Sequence, residues 1–419
     1  MHQNKIYELS KVNVAKLLTV HGYGQVGTIL NQIGIIPLLV IYWGADGFGH
    51  WVKLTSIAAL VVLMDMGISR AAIDRVSVLL GQNRRFEALY LFKFLFSAYS
   101  VIYVIIALSI STIIFLLDLS TASINIFTAL ILIFEYAAKM IDAVLHAGYR
   151  ICEKTAMHWF LYYTCALVQF MSISILGASG YGMLDVAISF LLIRIIFLLY
   201  TFYKLPIKGV YQIFLRRLHP HIFLRLKDST KANFFHLSGL VLNQYGINLL
   251  ISYFLPAKSL AIFTIYRTAG RVASQVVQVL FNSVDHELGK KISIKNMMRI
   301  IYSRRSLYIL LCVLVIFPLS LYYIILEWAS DRIESNFIAC IGVILASVFE
   351  AAFFLILYSN RIFGEHKRIA RNYLQSTIFL LATLTIALHM HPKIEVTALI
   401  YLIFWFLLFI LNLKKQINN

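Results

Sequence analysis

Apolar runs of about twenty residues follow one another from one end of the chain to the other. Each is long enough to cross about 30 Å of hydrocarbon as a helix. The runs are continuous rather than alternating, which selects helices over the strands of a barrel. The pattern predicts spans at 17–42, 47–67, 88–117, 123–146, 156–177, 183–203, 234–255, 259–284, 306–327, 336–358, 373–391 and 394–413. The third exceeds what a bilayer needs, so it is tilted or extends beyond it. The first run has no small-residue cleavage site, so it reads as a retained helix.

Composition agrees with a membrane interior. The 419 residues are 60% hydrophobic and 13% charged, against about 25% charged in soluble domains. Charge then tests the count of spans. With both termini in the cytoplasm, the inner segments collect 28 Lys and Arg, and the outer loops only Lys258, Arg332 and Lys393. Such asymmetry is the positive-inside rule, and one miscounted helix would invert every loop downstream. The net charge of +18 therefore reflects topology and attraction to anionic lipid headgroups. It calls for membrane lipids as partners and for no nucleic acid.

Residues 27–35 read GTILNQIGI and residues 239–247 read GLVLNQYGI. The matching positions lie in the first and seventh spans, 212 residues apart, and Ala45 and Ala257 keep the register. Six spans restore the original direction, so the pattern predicts two parallel six-helix lobes. They cover residues 1–203 and 234–419, joined by a basic cytoplasmic connector at 204–233. The expected fold class is an all-α integral membrane protein of about twelve transmembrane helices.

Ionisable groups inside a bilayer are costly and face a protein interior or a wet cavity. At helical spacing, Arg267, Arg271, Ser274, Gln278, Asn282 and Asp285 share one face of the eighth span, with Gln275 beside them. The two arginines lie about 12–18 Å from its outer end at 1.5 Å per residue. The fourth span carries Thr128, Glu135, Lys139, Asp142 and His146. The first carries His21, Gln25, Thr28 and Gln32 with Asn31 adjacent, and the seventh Gln244, Asn248 and Ser252 with Asn243 adjacent. Arg194 is mid-span in the sixth helix and Glu350 lies in the tenth. These stripes predict a hydrated lumen lined by Gln25, Gln32, Gln244, Asn248 and Gln278. Its charge is positive at Arg267, Arg271, Arg194 and Lys139. A cationic cavity favours an anionic passenger, and guanidinium forks match phosphate.

Structural readings stand beside this one. Glu135, Lys139 and Asp142 are within reach of one another along one helix face. Arg194 can pair with a carboxylate such as Glu350. Asn and Gln in spans serve as bonds between helices. Cys152, Cys165, Cys312 and Cys340 are far apart and form no CxxC pair. The HxH pairs at His219/His221 and His389/His391 fall at helix ends, where the interfacial reading outweighs a metal. No cofactor is called for, and no GxxxxGK[ST] nucleotide loop occurs. No outer loop is large enough for the catalytic residues of a lipid-linked sugar polymerase or transferase, so an enzyme is not expected. The spacing between Asp74–Arg75 and Arg84–Arg85 does not match the compact basic motif of twelve-helix facilitators.

The first helix, GTILNQIGIIPLLVIYWG (27–44), is followed by a second ending LMDMGISRAAIDRV (63–76), with Asp65–Met66–Gly67–Ile68 at its close. Together with FTIYRTAGRVASQVVQVLFNSVDHEL (263–288), these segments resemble polysaccharide flippases of the Wzx type. Those belong to the multidrug/oligosaccharidyl-lipid/polysaccharide (MOP) exporter superfamily. The resemblance implies translocation of an undecaprenyl-diphosphate-linked oligosaccharide, an O-antigen or other surface polysaccharide unit, across the bacterial inner membrane. It implies alternating access, ion coupling with Asp65, Glu135, Asp142 and Glu350 as candidates, and a polysaccharide polymerase machinery as a candidate partner. A multidrug antiporter of the same superfamily is the alternative; its cationic drugs would favour a more acidic or apolar cavity.

Overall fold

The computed structural model describes residues 19–20, 23–24, 34–116, 126–207, 220–271, 336–362 and 366–417. Nearly all of them are helical. In chain order the elements are α1 (Ile35–Ala59), a 3-10 turn (Leu60–Asp65), α2 (Ile68–Gly81) and α3 (Arg85–Leu116). There follow α4 (Ile126–Ile151), α5 (Thr155–Ala178), α6 (Met183–Lys204) and α7 (Pro220–Val241). A π-helical turn (Leu242–Gly246) leads into α8 (Ile247–Phe254), and α9 covers 257–271. The chain ends in α10 (Phe337–Ile362), α11 (His366–Met390) and α12 (Ile394–Ile417).

Seven helical segments among the described residues are long and apolar enough to cross a membrane. One of them, Ile35–Asp65, is two pieces, because Gly44 breaks α1 with φ 72° and ψ 175°. That break falls where a turn is expected between the first two spans. α4 has the required length but carries Glu135, Lys139, Asp142 and Arg150. The ninth expected span, 306–327, lies outside the described residues, as do half of the first and the second half of the eighth.

The chain forms two compact units, residues 1–52 with 250–419 and residues 53–249. In the first, α10 runs along α12, and α11 packs on α12. Its core is aromatic: Phe353, Phe354, Tyr373 and Trp405 are fully buried, with the Phe353, Phe354 and Tyr373 rings 5.7–6.1 Å from that of Trp405. In the second unit, α4 is the central helix and packs on α2, α3, α5 and α6. Outward positions of α6, such as Leu192, Ile196 and Leu199, are exposed and apolar, as lipid contact requires.

Two repeat features are visible in the backbone. Gly246 closes the π-helical turn of GLVLNQYGI, and Gly34, its counterpart 212 residues earlier, has the same π-helical geometry. The backbone N–H of Lys258 donates to Asp46 Oδ1 at 3.1 Å, and these positions are also 212 apart. A Cβ on Gly49 would overlap the Ala257 carbonyl, so glycine permits this approach of the two outer turns.

The Asp65–Met66–Gly67–Ile68 element reverses the backbone. Met66 (φ 47°) and Gly67 (φ 70°) are both left-handed. Asp65 then accepts the N–H of Ser69 at 3.2 Å and satisfies an orphan donor at the start of α2. Gly67 packs directly against the Asn233–Phe234 backbone of α7. Gly67→Ala meets a left-handed penalty of about 1–2 kcal/mol plus that overlap. Gly180→Ala, at φ 78° with open space around it, meets only the first. Thermal unfolding of purified protein in detergent is expected to show a clearly larger drop in midpoint for Gly67→Ala. Equal drops would mean that the α2–α7 approach does not need glycine.

Candidate functional site

The membrane-embedded polar residues form separate clusters, one set in each unit. In the second unit α4 and α5 make a helical hairpin around the turn 152–154. Antiparallel packing places residues equidistant from Cys152 opposite one another. Glu135 therefore faces Gln169, and His146 faces His158.

Glu135 is buried and holds Arg194 of α6, with Nε 3.1 Å from Oε1. Gln169 completes a triangle. Its Nε2 donates to Glu135 Oε1 at 3.2 Å, and its Oε1 accepts from Arg194 at 3.3 Å. The guanidinium also lies 5.6 Å from the Tyr162 ring centroid, a favourable cation–π distance. The acid facing Arg194 is thus Glu135 rather than Glu350. Lys139, one turn further along α4, is half-buried, with its ammonium 5.3 Å from the Tyr136 ring. Asp142 turns to α5, where its Oδ1 is 3.4 Å from His158 Nε2. So the acids of α4 find their partners on other helices.

Asp65 is buried beneath α3. Tyr103 donates to its Oδ1 at 2.8 Å, the Ser69 hydroxyl also bonds that oxygen, and Tyr99 reaches its carbonyl. Asn248 donates to Ser56 at 3.3 Å and so ties α8 to α1. Asn243 is fully buried and Gln244 half-buried, both within the π turn. A cavity of 360 Å³ opens at the hairpin end of this unit, lined by Arg85, Phe86, Leu89, Ile151, Cys152, Pro206 and Ile207. Among the described residues, none of the predicted lumen positions lines it.

In the first unit the centre is Glu350 of α10, fully buried. Tyr401 of α12 donates to its Oε2 at 3.4 Å. Arg271 and Arg267 of α9 both act on its charge. Arg267 is buried, with its guanidinium 5.3 Å from the Tyr401 ring and 6.0 Å from that of Phe263. Gly270 explains how the helices come so close: a Cβ there would overlap the Ser347 side chain on α10. Two cations thus act on this one buried carboxylate.

Gln25, Gln32 and Gln278 lie outside the described residues, as do His21, Thr28, Asn31, Ser274, Gln275, Asn282, Asp285 and Cys312. The polar stripes do not single out Gln169, His158, Tyr162, Tyr103 or Tyr401. The hairpin register about Cys152 is an available signal for the first two. For the tyrosines no local signal exists. Among the described residues no group of three His, Cys, Asp or Glu is arranged to hold a metal ion.

No family model matches the chain, and no curated protein matches it. Solved structures do. The MATE transporter VcmN of Vibrio cholerae, in its bent form, is 13% identical. The match covers 97% of each chain with a TM-score of 0.60. The MATE multidrug transporter DinF-BH, solved as a complex, is 15% identical over 97% of this chain and 95% of its own, with a TM-score of 0.64. A MOP-superfamily transporter from Pyrococcus furiosus has a binding pocket of reversed polarity, which suggests a different function for it. It is 12% identical over 97% of this chain and 96% of its own, with a TM-score of 0.58. The chain thus has the multi-pass helical membrane fold of MOP-superfamily MATE transporters.

The Glu135–Arg194 pair gives a direct test. Removing one partner of a buried ion pair costs about 3–5 kcal/mol, whereas replacing both with apolar groups costs far less. Glu135→Gln is expected to lower the unfolding midpoint strongly, and Glu135→Leu combined with Arg194→Met to restore most of it. A midpoint unmoved by Glu135→Gln would show that the pair carries no structural charge balance.

Proposed function

We propose that this protein is a secondary transporter for an anionic glycolipid, an undecaprenyl-diphosphate-linked oligosaccharide destined for a surface polysaccharide such as O-antigen. It acts in the bacterial inner membrane with both termini in the cytoplasm. The carrying observation is that two guanidinium groups, Arg271 and Arg267, both act on the buried Glu350. A diphosphate would meet Arg267 and Arg271, whose forked donors suit its oxygens. Lys139 is a further cation for the passenger, while Arg194 is largely committed to Glu135.

The lumen opens alternately to each side, as expected for repeats 1–203 and 234–419 with the connector 204–233. Gln25, Gln32, Gln244 and Gln278 supply its hydrogen-bonding lining, and Asn248 contributes while bonded to Ser56. Asp65 and Glu135 are held by partners that fix local structure, which leaves Asp142 and Glu350 as the stronger coupling candidates. A polysaccharide polymerase machinery would receive the product. The Pyrococcus neighbour supports this reading indirectly, since the same fold there carries a pocket of reversed polarity.

The second reading, multidrug export, is favoured by the solved neighbours named as multidrug transporters. Proteoliposomes separate the two. Arg267→Glu and Arg271→Glu are expected to slow flipping of a fluorescent polyprenyl-diphosphate disaccharide at least tenfold, about 1.4 kcal/mol of lost binding. Undiminished flipping at normal protein levels would rule out the cationic lumen. Faster ethidium efflux from the same variants, with no disaccharide movement in the unmodified protein, would instead establish the drug reading.

A further inference from the structure

His146 and His158 sit face to face in the α4–α5 hairpin, with Nδ1 to Nδ1 at 3.2 Å. Both are buried, as is Asp142. Two bare nitrogens at this distance would repel, and two N–H groups would clash. One shared hydrogen therefore joins the rings. His158 Nε2 lies 3.4 Å from Asp142 Oδ1 and 3.3 Å from the Asp142 carbonyl. Both of those atoms only accept, so Nε2 carries a hydrogen. In the uncharged pair, His146 Nδ1–H then donates to His158 Nδ1, and His158 Nε2–H donates to Asp142.

That state leaves a buried carboxylate facing two neutral rings, a net charge of −1. One added proton gives the rings three N–H groups and brings the net charge to zero. Within these three side chains the added proton balances the charge, which favours its uptake, and Arg194 also acts on Asp142. Aromatic faces surround the cation so formed. Trp159 lies 5.0 Å from the His146 ring and 6.2 Å from that of His158, and Tyr149 lies 5.4 Å from His158. Trp159 is itself held by Tyr163, stacked at 5.5 Å, and by the edge of Tyr162. Facing nitrogens at hydrogen-bond distance suit a proton, not two ligands of one metal ion.

The other titratable and charged groups nearby are few. On α4 and its turn they are Tyr149, Arg150, Cys152, Glu153 and Lys154; on α5, Cys165 is acted on by Asp142; on α6, Arg194 acts on Asp142 and Tyr200 on Tyr149. On α2, Arg70 and Asp74 pair at 3.6 Å and are partly exposed, with Arg75 beside them; α3 carries Lys93. The α3 contact beside Gly148 is the Phe92 ring, which is apolar.

We infer that His146, His158 and Asp142 form a proton-binding site, and that the coupling ion of transport is the proton. This rests on the transporter reading above. The site lies on the same helix as Glu135, two turns from the residue that fixes Arg194. A change of charge at Asp142 is thus delivered to the helix that carries Glu135 and Lys139. The site would exchange protons with the cytoplasm, because the hairpin turn 152–154 falls on that side in the proposed topology.

The test uses the full chain in proteoliposomes with an imposed pH gradient and two probes, the fluorescent polyprenyl-diphosphate disaccharide and ethidium. The gradient is expected to speed transport of one probe at least tenfold. His146→Gln and His158→Gln are each expected to abolish that acceleration. In detergent, a pH-dependent tryptophan fluorescence transition is expected and should vanish in Trp159→Phe. Gradient-driven ethidium movement that needs both histidines, with no disaccharide flipping, would leave the proton site standing and overturn the glycolipid reading. Disaccharide flipping indifferent to the gradient, or gradient dependence that survives in both variants, would overturn the proton site. If neither variant folds, the unmodified protein still decides: transport of both probes without response to the gradient overturns the inference.

Discussion

A charge inside a bilayer must be answered by another group of the protein or by water in a cavity, because lipid does not solvate it. The architecture of the described residues follows from this requirement. Glu135 answers Arg194, Asp142 answers His158, Glu350 answers Arg267 and Arg271, and Asp65 is wrapped by Ser69 and Tyr103. In each of the first three cases the partners come from different helices. The polar contacts therefore act as register pins between elements whose remaining surfaces are interchangeable apolar side chains.

The pins are not equal in charge. Glu135 and Arg194 cancel, and Gln169 and Tyr162 complete their coordination. That cluster behaves as structure. Around Glu350 two guanidinium groups act on one carboxylate, and on the proposed reading an anionic passenger joins them. At Asp142 the inferred balance depends on a proton shared by the two rings that face it. An incomplete or adjustable balance is the state in which a buried site responds to an anion or to pH. A complete one is inert. On this physical ground the functional reading falls on the second and third clusters.

Small residues set how closely the helices carrying these charges approach. Gly270 allows α9 to meet α10 at Ser347, which brings both arginines to Glu350. Gly148 accepts the Phe92 ring next to the histidine pair, and Gly67 lets the start of α2 reach the α7 backbone. The Asp65–Met66–Gly67–Ile68 element combines a left-handed turn with a carboxylate that caps the next helix. That explains the residue types it contains without any direct contact with a passenger.

The class of molecule is legible in the chain alone. Hydropathy and the inside–outside bias of Lys and Arg are properties of single segments and their order, so they can be read without contacts. The outer turn at Gly44 and the 212-residue repeat are legible for the same reason, and Gly34 and Gly246 share their π geometry. The polar stripe of α4 is also legible, since a period of 3.6 residues fixes which positions share a face. Pairing is not. It took the folded molecule to show that Arg194 meets Glu135 and not Glu350, and that Asp142 turns away from Lys139 to a histidine on the next helix. Pairing depends on the rotation and depth of each helix, and these are set by the packing of neighbouring surfaces rather than by the helix's own residues.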